Sequence, residues 1–166
     1  MKNIYKSILL FLLLINQLSF SQNIDSLDNK YGFRNYKFET NINYFKNLKE
    51  IEKDFYIDTI NNNIKIGDYE IYQIVYGFYN NQLQIIFLKT KGFYDSDGIL
   101  SILKLAYGNG VKTKYNQIVW IGNKTTMIYN INSKNGNAII SIYSNMLMQL
   151  MEYNNKRNNI NAIQDL

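Results

Sequence analysis

Residues 69–108 read YEIYQIVYGFYNNQLQIIFLKTKGFYDSDGILSILKLAYG. Two runs rich in β-branched and aromatic residues flank Asn80-Asn81, and asparagine tolerates the positive φ that a two-residue hairpin turn demands. With those two at the turn centre, Phe78 faces Leu83, Tyr76 faces Ile85 and Ile74 faces Phe87. Alternation places these six on one side of the sheet. Val75, Gln73, Gly77, Gln84, Ile86 and Leu88 fall on the other, more polar side. A helix follows the hairpin. Asp95 or Ser96 caps it, and Ile99, Ile102, Leu103 and Ala106 form its i, i+3, i+4, i+7 stripe. Gly108 suits the position after its last turn.

Upstream, FRNYKFE (33–39) alternates like a strand. Thr40 is placed to cap a helix from about Asn41 to Lys53, although its apolar stripe is short and partly polar. Phe55–Ile60 reads as a strand, Asn61–Asn63 as a turn, and Ile64–Ile66 as a short strand ended by Gly67-Asp68. Downstream, a three-strand meander turns at Gly122-Asn123 and at Asn135-Gly136. Both turns bring Ile118, Trp120, Met127, Tyr129, Ile131, Ile140 and Ile142 to one face. Val119, Ile121, Ile128, Ile139 and Tyr143 fall on the other. Ser144 caps a last helix striped by Met146, Leu147, Leu150 and Met151. The expected order is β-α-β-β-β-α-β-β-β-α. It makes an α+β fold with a mainly antiparallel sheet of six to seven strands and two to three helices on one face. The strand-helix-strands unit occurs twice in this ordering of elements, which hints at a duplication.

The chain opens MKNIYKSILLFLLLINQLSFSQ. Lys2 and Lys6 make a basic start, Ile8–Ile15 an apolar centre and Ser19-Phe20-Ser21 a small-x-small site. This pattern is that of a secretory signal peptide over residues 1–21, cleaved between Ser21 and Gln22. The apolar run is short for a membrane span, so none is expected after cleavage. Residues 22–32 read as a loose lead, 33–153 as a single α+β domain and 154–166 as a polar tail. Cleavage takes the 18 basic residues to 16 against 13 acidic, a net +3 with no basic block. Nucleic acid is therefore not an expected partner. The expected location is exported, either periplasmic or extracellular.

The chain resembles small secreted α+β proteins of Bacteroidota-type bacteria. The resemblance rests on Gly32-Phe33-Arg34, Phe38-x-Thr40, Tyr76-Gly77-Phe78-Tyr79 with Leu83, Ala106-Tyr107-Gly108, and Trp120 with Gly122-Asn123-Lys124-Thr125. It covers roughly residues 31–150 and implies a compartment and a fold, with no catalytic residues to carry over. Where such sequences often place a proline after the second helix, this one has Asn109-Gly110.

With no His and no Cys, the chain lacks the side chains of Ser-His-Asp and Cys-His sites, His/Cys zinc sites and disulfides. Five other patterns remain. Ser101-x-x-Lys104 matches the S-x-x-K nucleophile motif, but S-D-N and K-T-G partners are missing, and Lys112-Thr113-Lys114 is no substitute. Asp95-Ser96-Asp97-Gly98 resembles part of a calcium loop with the wrong spacing, and helix capping accounts for it better. Glu50, Glu52 and Asp54 offer carboxylates with no sign of convergence. Tyr79, Tyr94, Tyr115 and Tyr143 are the aromatics left for a sticky surface, since Trp120, Tyr76, Phe78 and Phe87 fall on expected core faces. Asn123-Lys124-Thr125 is a glycosylation sequon at a hairpin turn.

The reading is an exported non-catalytic module that binds a protein, peptide or envelope component. No catalytic or metal residues and no cofactor are expected, and the ligand-binding residues and oligomeric state are open. A small secreted inhibitor or immunity-type protein is the alternative, with a carboxylate- or Ser/Lys-dependent hydrolase behind it.

Overall fold

The structure, a computed structural model, describes residues 24–60 and 64–164. Ser21 and Gln22, the expected cleavage site, and the Asn61–Asn63 turn lie outside the described residues. The fold is α+β and built on one antiparallel sheet of eight strands. In chain order these are β3 (Leu48–Glu52), β4 (Phe55–Asp58), β7 (Gln73–Tyr79), β8 (Gln82–Thr90), β9 (Val111–Lys112), β10 (Ile118–Ile121), β11 (Thr125–Ile131) and β12 (Ala138–Ser144). Across the sheet the order is β3-β4-β7-β8-β12-β11-β10-β9. Two small hairpins stand apart, β1 (Gly32–Phe33) with β2 (Tyr36–Lys37), and β5 (Ile64–Ile66) with β6 (Tyr69–Ile71). The helices are α1 (Ile24–Lys30), α2 (Gly92–Tyr107) and α3 (Asn145–Gln164).

The β7–β8 hairpin turns at Asn80 and Asn81, whose φ values of 50° and 63° are the left-handed pair the turn needs. Phe78 pairs with Leu83 as expected, and then the register slips. Gly77 pairs with Ile85, Tyr76 with Ile86 and Ile74 with Leu88, so Gln84 is an extra residue in a β-bulge. Ile86 and Leu88 therefore take the core positions expected of Ile85 and Phe87. The bulge sits where the outer neighbour of β8 changes. From Ile85 onward that neighbour is β12; at Leu83 it is residues 39–40, whose backbone bonds Leu83 in both directions at 2.9 Å. Gly77 makes room for the shift, because a Cβ there would lie 2.5 Å from Ile85 and 2.8 Å from Phe55.

The expected helix over residues 41–53 does not form. Thr40 and Asn41 lie alongside the start of β8, and Asn41 caps only a single 3₁₀ turn at Ile42–Tyr44. Phe45 is then buried, stacked on Tyr36 at 4.4 Å and edge-on to Phe78 at 5.1 Å. Asn47 and Asp54 take positive φ and turn the chain into the β3–β4 hairpin. A polar stripe offered a helix little to bury, whereas Phe45 gains an aromatic cluster and residues 48–52 an edge-strand pairing. FRNYKFE likewise folds back on itself as β1–β2 instead of forming one strand. Without the first helix, the two halves do not repeat a strand-helix-strands unit.

The meander keeps its expected faces. Each strand's partner is two residues away from the one a simple two-residue turn gives, the turn centres moving by one: Trp120 pairs with Met127, Met127 with Ile142 and Tyr129 with Ile140. A slip of two preserves alternation. Trp120, Met127, Tyr129, Ile140 and Ile142 are all buried with Ile74, Tyr76, Phe78, Leu83, Ile86 and Leu88. This core face is covered by α2, α1, Phe38, Phe45 and the β5–β6 hairpin.

The helices are not all on that face, contrary to the sequence reading. α3 packs on the other one, where the Gln84 amide donates to the Leu147 carbonyl at 3.4 Å and the Asn154 amide donates to the Tyr79 hydroxyl at 2.7 Å. The bulged Gln84 gives that helix a polar seat. Ser144 caps it as expected, its hydroxyl accepting the Leu147 N–H at 3.3 Å. The helix runs on through the residues read as a tail, to Gln164. The residues read as a loose lead contain α1, whose Leu27 is buried. At α2, the helix begins at Gly92, earlier than the expected cap. Ser96 is fully buried there, bonded to the Thr90 hydroxyl at 2.6 Å and donating to the Gly136 carbonyl at 2.5 Å.

Two outcomes follow from this packing. The Tyr69 ring lies against the backbone of Gly98, where a Cβ would fall well inside contact distance. Gly98→Ala should cost about 1–3 kcal/mol by overpacking. With Tyr69→Ala already in place the same change should become neutral or favourable, a coupling that urea melts of the double-mutant cycle will read. The second outcome concerns alkali. Tyr129 donates to the Ser96 carbonyl at 3.1 Å, and its pKa is pushed up to about 12, first by burial and then by the Asp97 charge. Tyr76 moves the same way, first through burial. Below the ordinary value of 10.0 these phenols are neutral in both states and their contribution is complete. Above it the unfolded phenol ionises while the folded one stays protonated, so stability should fall from pH 10 to about 12. Denaturant midpoints across that range should show the loss, and Tyr129→Phe should make it shallower.

Candidate functional site

Leu88, Met127 and Ile142 on the core face, Ile99, Ile102, Leu103, Ala106 and Tyr107 from α2, and Leu27, Gly32 and Phe33 from α1 and β1 surround a cleft of about 360 Å³. Three of the four α2 stripe residues read from the sequence thus serve the cleft as much as the core: Ile102 and Leu103 are half-buried and Ala106 is exposed. Only Ile99 is fully enclosed. The volume lies within the range of about 300–1,000 Å³ of small-molecule sites. Its rim carries Lys30, Arg34 and Lys65, all exposed, and no carboxylate is among the residues that line it. Arg34 stands at the tip of β1–β2 with φ 53°, donates to the Lys65 carbonyl at 3.3 Å and lies 5.9 Å from the Phe33 ring centre. Burial raises the Tyr107 pKa, keeping the phenol neutral at the cleft wall. The arrangement is an apolar slot with a cationic mouth, suited to holding a molecule.

A second, more open hollow of about 570 Å³ lies between α1 and the β10–β11 turn. Asp28 accepts three consecutive backbone N–H groups there, from Asn123 at 2.7 Å and from Lys124 and Thr125 at 2.9 Å each. Such a cluster of amides is an anion seat, and the chain fills it with its own carboxylate. Nearby the Tyr31 hydroxyl donates to Glu39 and lies 3.1 Å from the Ser144 hydroxyl. Burial first, and the Glu39 bond second, raise the Tyr31 pKa. This hollow is built by contacts that pin α1 to the sheet. A third depression of about 510 Å³ is rimmed by Asn130, Asn132, Asn135 and Asn137. Side-chain oxygens of three of them accept backbone N–H groups of Lys134, Asn137 and Gly92, so they shape the β11–β12 loop itself.

The sequence candidates do not converge. Ser101 is exposed on α2 and donates to the Asp97 carbonyl one turn back at 2.8 Å; Lys104 is exposed on the same helix. Asp95 accepts the Glu70 N–H at 2.8 Å, joining α2 to β6, and Ser96 is the buried tie described above. Glu50, Glu52 and Asp54 lie exposed on the β3–β4 edge hairpin, where Glu50 accepts the Asp54 N–H at 3.2 Å. Among the described residues, no three His, Cys, Asp or Glu gather where they would hold a metal. The four tyrosines are dispersed. Tyr79 meets α3, Tyr94 leans on Tyr69 at 5.3 Å, Tyr115 lies under Lys114 at 5.0 Å, and burial raises the pKa of Tyr143 beside Thr126. The sequon forms the turn that receives Asp28. Lys30, Arg34 and Lys65 went unnoticed in the sequence because Lys65 is far along the chain from the other two and reaches the same mouth only through the β5–β6 hairpin.

Asp28→Ala should lower stability by about 2 kcal/mol, since it strips a charged acceptor from three amides at once. Asp28→Asn, which keeps one acceptor oxygen, should lose less; chemical denaturation of both variants compares them. Comparisons of the chain with protein-family models, with curated proteins and with solved structures find no match.

Proposed function

We propose that this chain is an exported, non-catalytic binding module, and that the cleft between α2 and the core face is where it binds. The observation that carries the reading is the cleft itself. Its wall is apolar and assembled from seven separate elements, while every reactive side chain singled out in the sequence ties one element to another, faces solvent or stands alone. Export rests on the leader pattern of residues 1–21. Among the described residues no helix is long and apolar enough to cross a membrane. The resemblance to secreted proteins of Bacteroidota-type bacteria agrees with that compartment. A hydrolase reading finds no support in the separated positions of Ser101, Lys104 and the carboxylates.

The inhibitor or immunity-type reading draws on a different surface. α3 covers only part of the second sheet face, and Ile121 and Ile139 there remain 59% and 43% exposed. A macromolecular partner would cover them. The cleft is favoured because it is already formed and enclosed on several sides.

Thermal melting of the protein as the cell exports it, against apolar small molecules, glycans, peptides and metals, separates these readings. A cleft ligand held at about a hundred times its dissociation constant should add roughly 2.7 kcal/mol to the native state. Leu103→Trp, which fills the slot, should abolish that shift without lowering the unliganded melting temperature. No response to any small apolar molecule, with a response to a protein partner that Ile139→Lys removes, would transfer the function to the second sheet face.

A further inference from the structure

We propose that the cleft selects a free single-chain amphiphile with an anionic head, of the long-chain carboxylate type; this rests on the binding-module reading above. The slot and its mouth have opposite chemistry. Inside, Leu27, Leu88, Ile99, Leu103, Met127 and Ile142 present only hydrocarbon and sulfur. An enclosed apolar space of this kind is not a good home for water, which needs two to four polar partners. Its 360 Å³ equals about twelve water-sized volumes, enough for an alkyl chain of roughly ten to twelve carbons. It is too small for the paired chains of a bilayer lipid.

At the mouth stand three cations from three different elements: Lys30 ends α1, Arg34 tips the β1–β2 turn and Lys65 lies in β5. With no acidic residue in the lining, their charge is not cancelled within the cleft. The Arg34 guanidinium spends one donor on the Lys65 carbonyl. A guanidinium has five, in a planar fork that matches a carboxylate. A ligand whose tail lies along α2 would bring its head to these groups. A neutral head gains less there, and a cationic head is repelled.

Calorimetric titration of the exported protein with dodecanoate, dodecanol and dodecyltrimethylammonium, each below its micelle-forming concentration, tests this. Dodecanoate should bind at least about tenfold tighter than dodecanol in low salt, and the cation should not bind. The preference should shrink toward 1 M salt, where the screening length falls to about 3 Å. Arg34→Gln with Lys65→Gln, both at exposed positions, should bring dodecanoate down to the affinity of dodecanol and leave dodecanol unchanged. Equal affinity for acid and alcohol, or indifference of the acid to the double substitution, overturns the selectivity and leaves the cleft as an unselective apolar site. Flotation with anionic lipid vesicles in place of dodecanoate binding overturns the free-ligand form. Silence toward all three probes overturns the inference alone if another apolar molecule binds and is displaced by Leu103→Trp; silence of every apolar molecule overturns the binding-cleft reading with it.

Discussion

The seam between β8 and β12 decides whether there is one sheet or two. Six residue pairs, from Thr90 with Ala138 to Ile85 with Tyr143, join the β3–β4–β7–β8 half to the β9–β12 meander. On the core side the seam brings Leu88 to Ile140 and Ile86 to Ile142, all buried to 5% exposure or less. It also forms the floor of the cleft, since Leu88 and Ile142 come from the two halves. Backbone pairing alone contributes modestly because the unfolded chain bonds to water instead. What makes the seam effective is that its core-side pairs, Thr90 with Ala138, Leu88 with Ile140 and Ile86 with Ile142, are also buried.

The seam is pinned at both ends by polar ties that an apolar core can hold only if each group is satisfied. At one end Thr90, Ser96 and the Gly136 carbonyl lock the start of α2 to the β11–β12 loop. At the other, Ser144 serves both the Tyr31 hydroxyl and the first turn of α3. α1 is fastened by Asp28 to the far hairpin, which is how residues near the start of the described chain come to wall the cleft. Every element bordering the cleft is thus tied to a neighbour through a named polar contact as well as through packing.

Local patterns in the sequence reached much of this. Asn80-Asn81, the meander alternation, Gly108 after α2 and Ser144 before α3 each depend on residues close in the chain, and each is where the pattern placed it. Two of the departures arise from distant partners. The bulge at Gln84 answers to residues 39–40 and to α3. The helix expected after Thr40 gave way because Phe45 had an aromatic cluster to join, made of Tyr36, Tyr76 and Phe78. The cleft was the least legible feature. Its apolar wall reads as ordinary core in any one element, and its three rim cations carry no spacing that links them. The stripe of α2 pointed to the right helix for the wrong reason, as three of its four residues face an opening instead of a closed core.

The wide span of the seam has a consequence for the order in which the chain becomes a protein. Residues 85–90 wait for residues 138–143, so no continuous eight-stranded sheet exists until nearly the whole chain is in one place, and such distant pairing is slow to form. The export proposed above would be served by that delay. The chain has no proline bond to isomerise and no disulfide to form, so neither of these slow chemical steps of folding stands between the unfolded chain and the closed sheet.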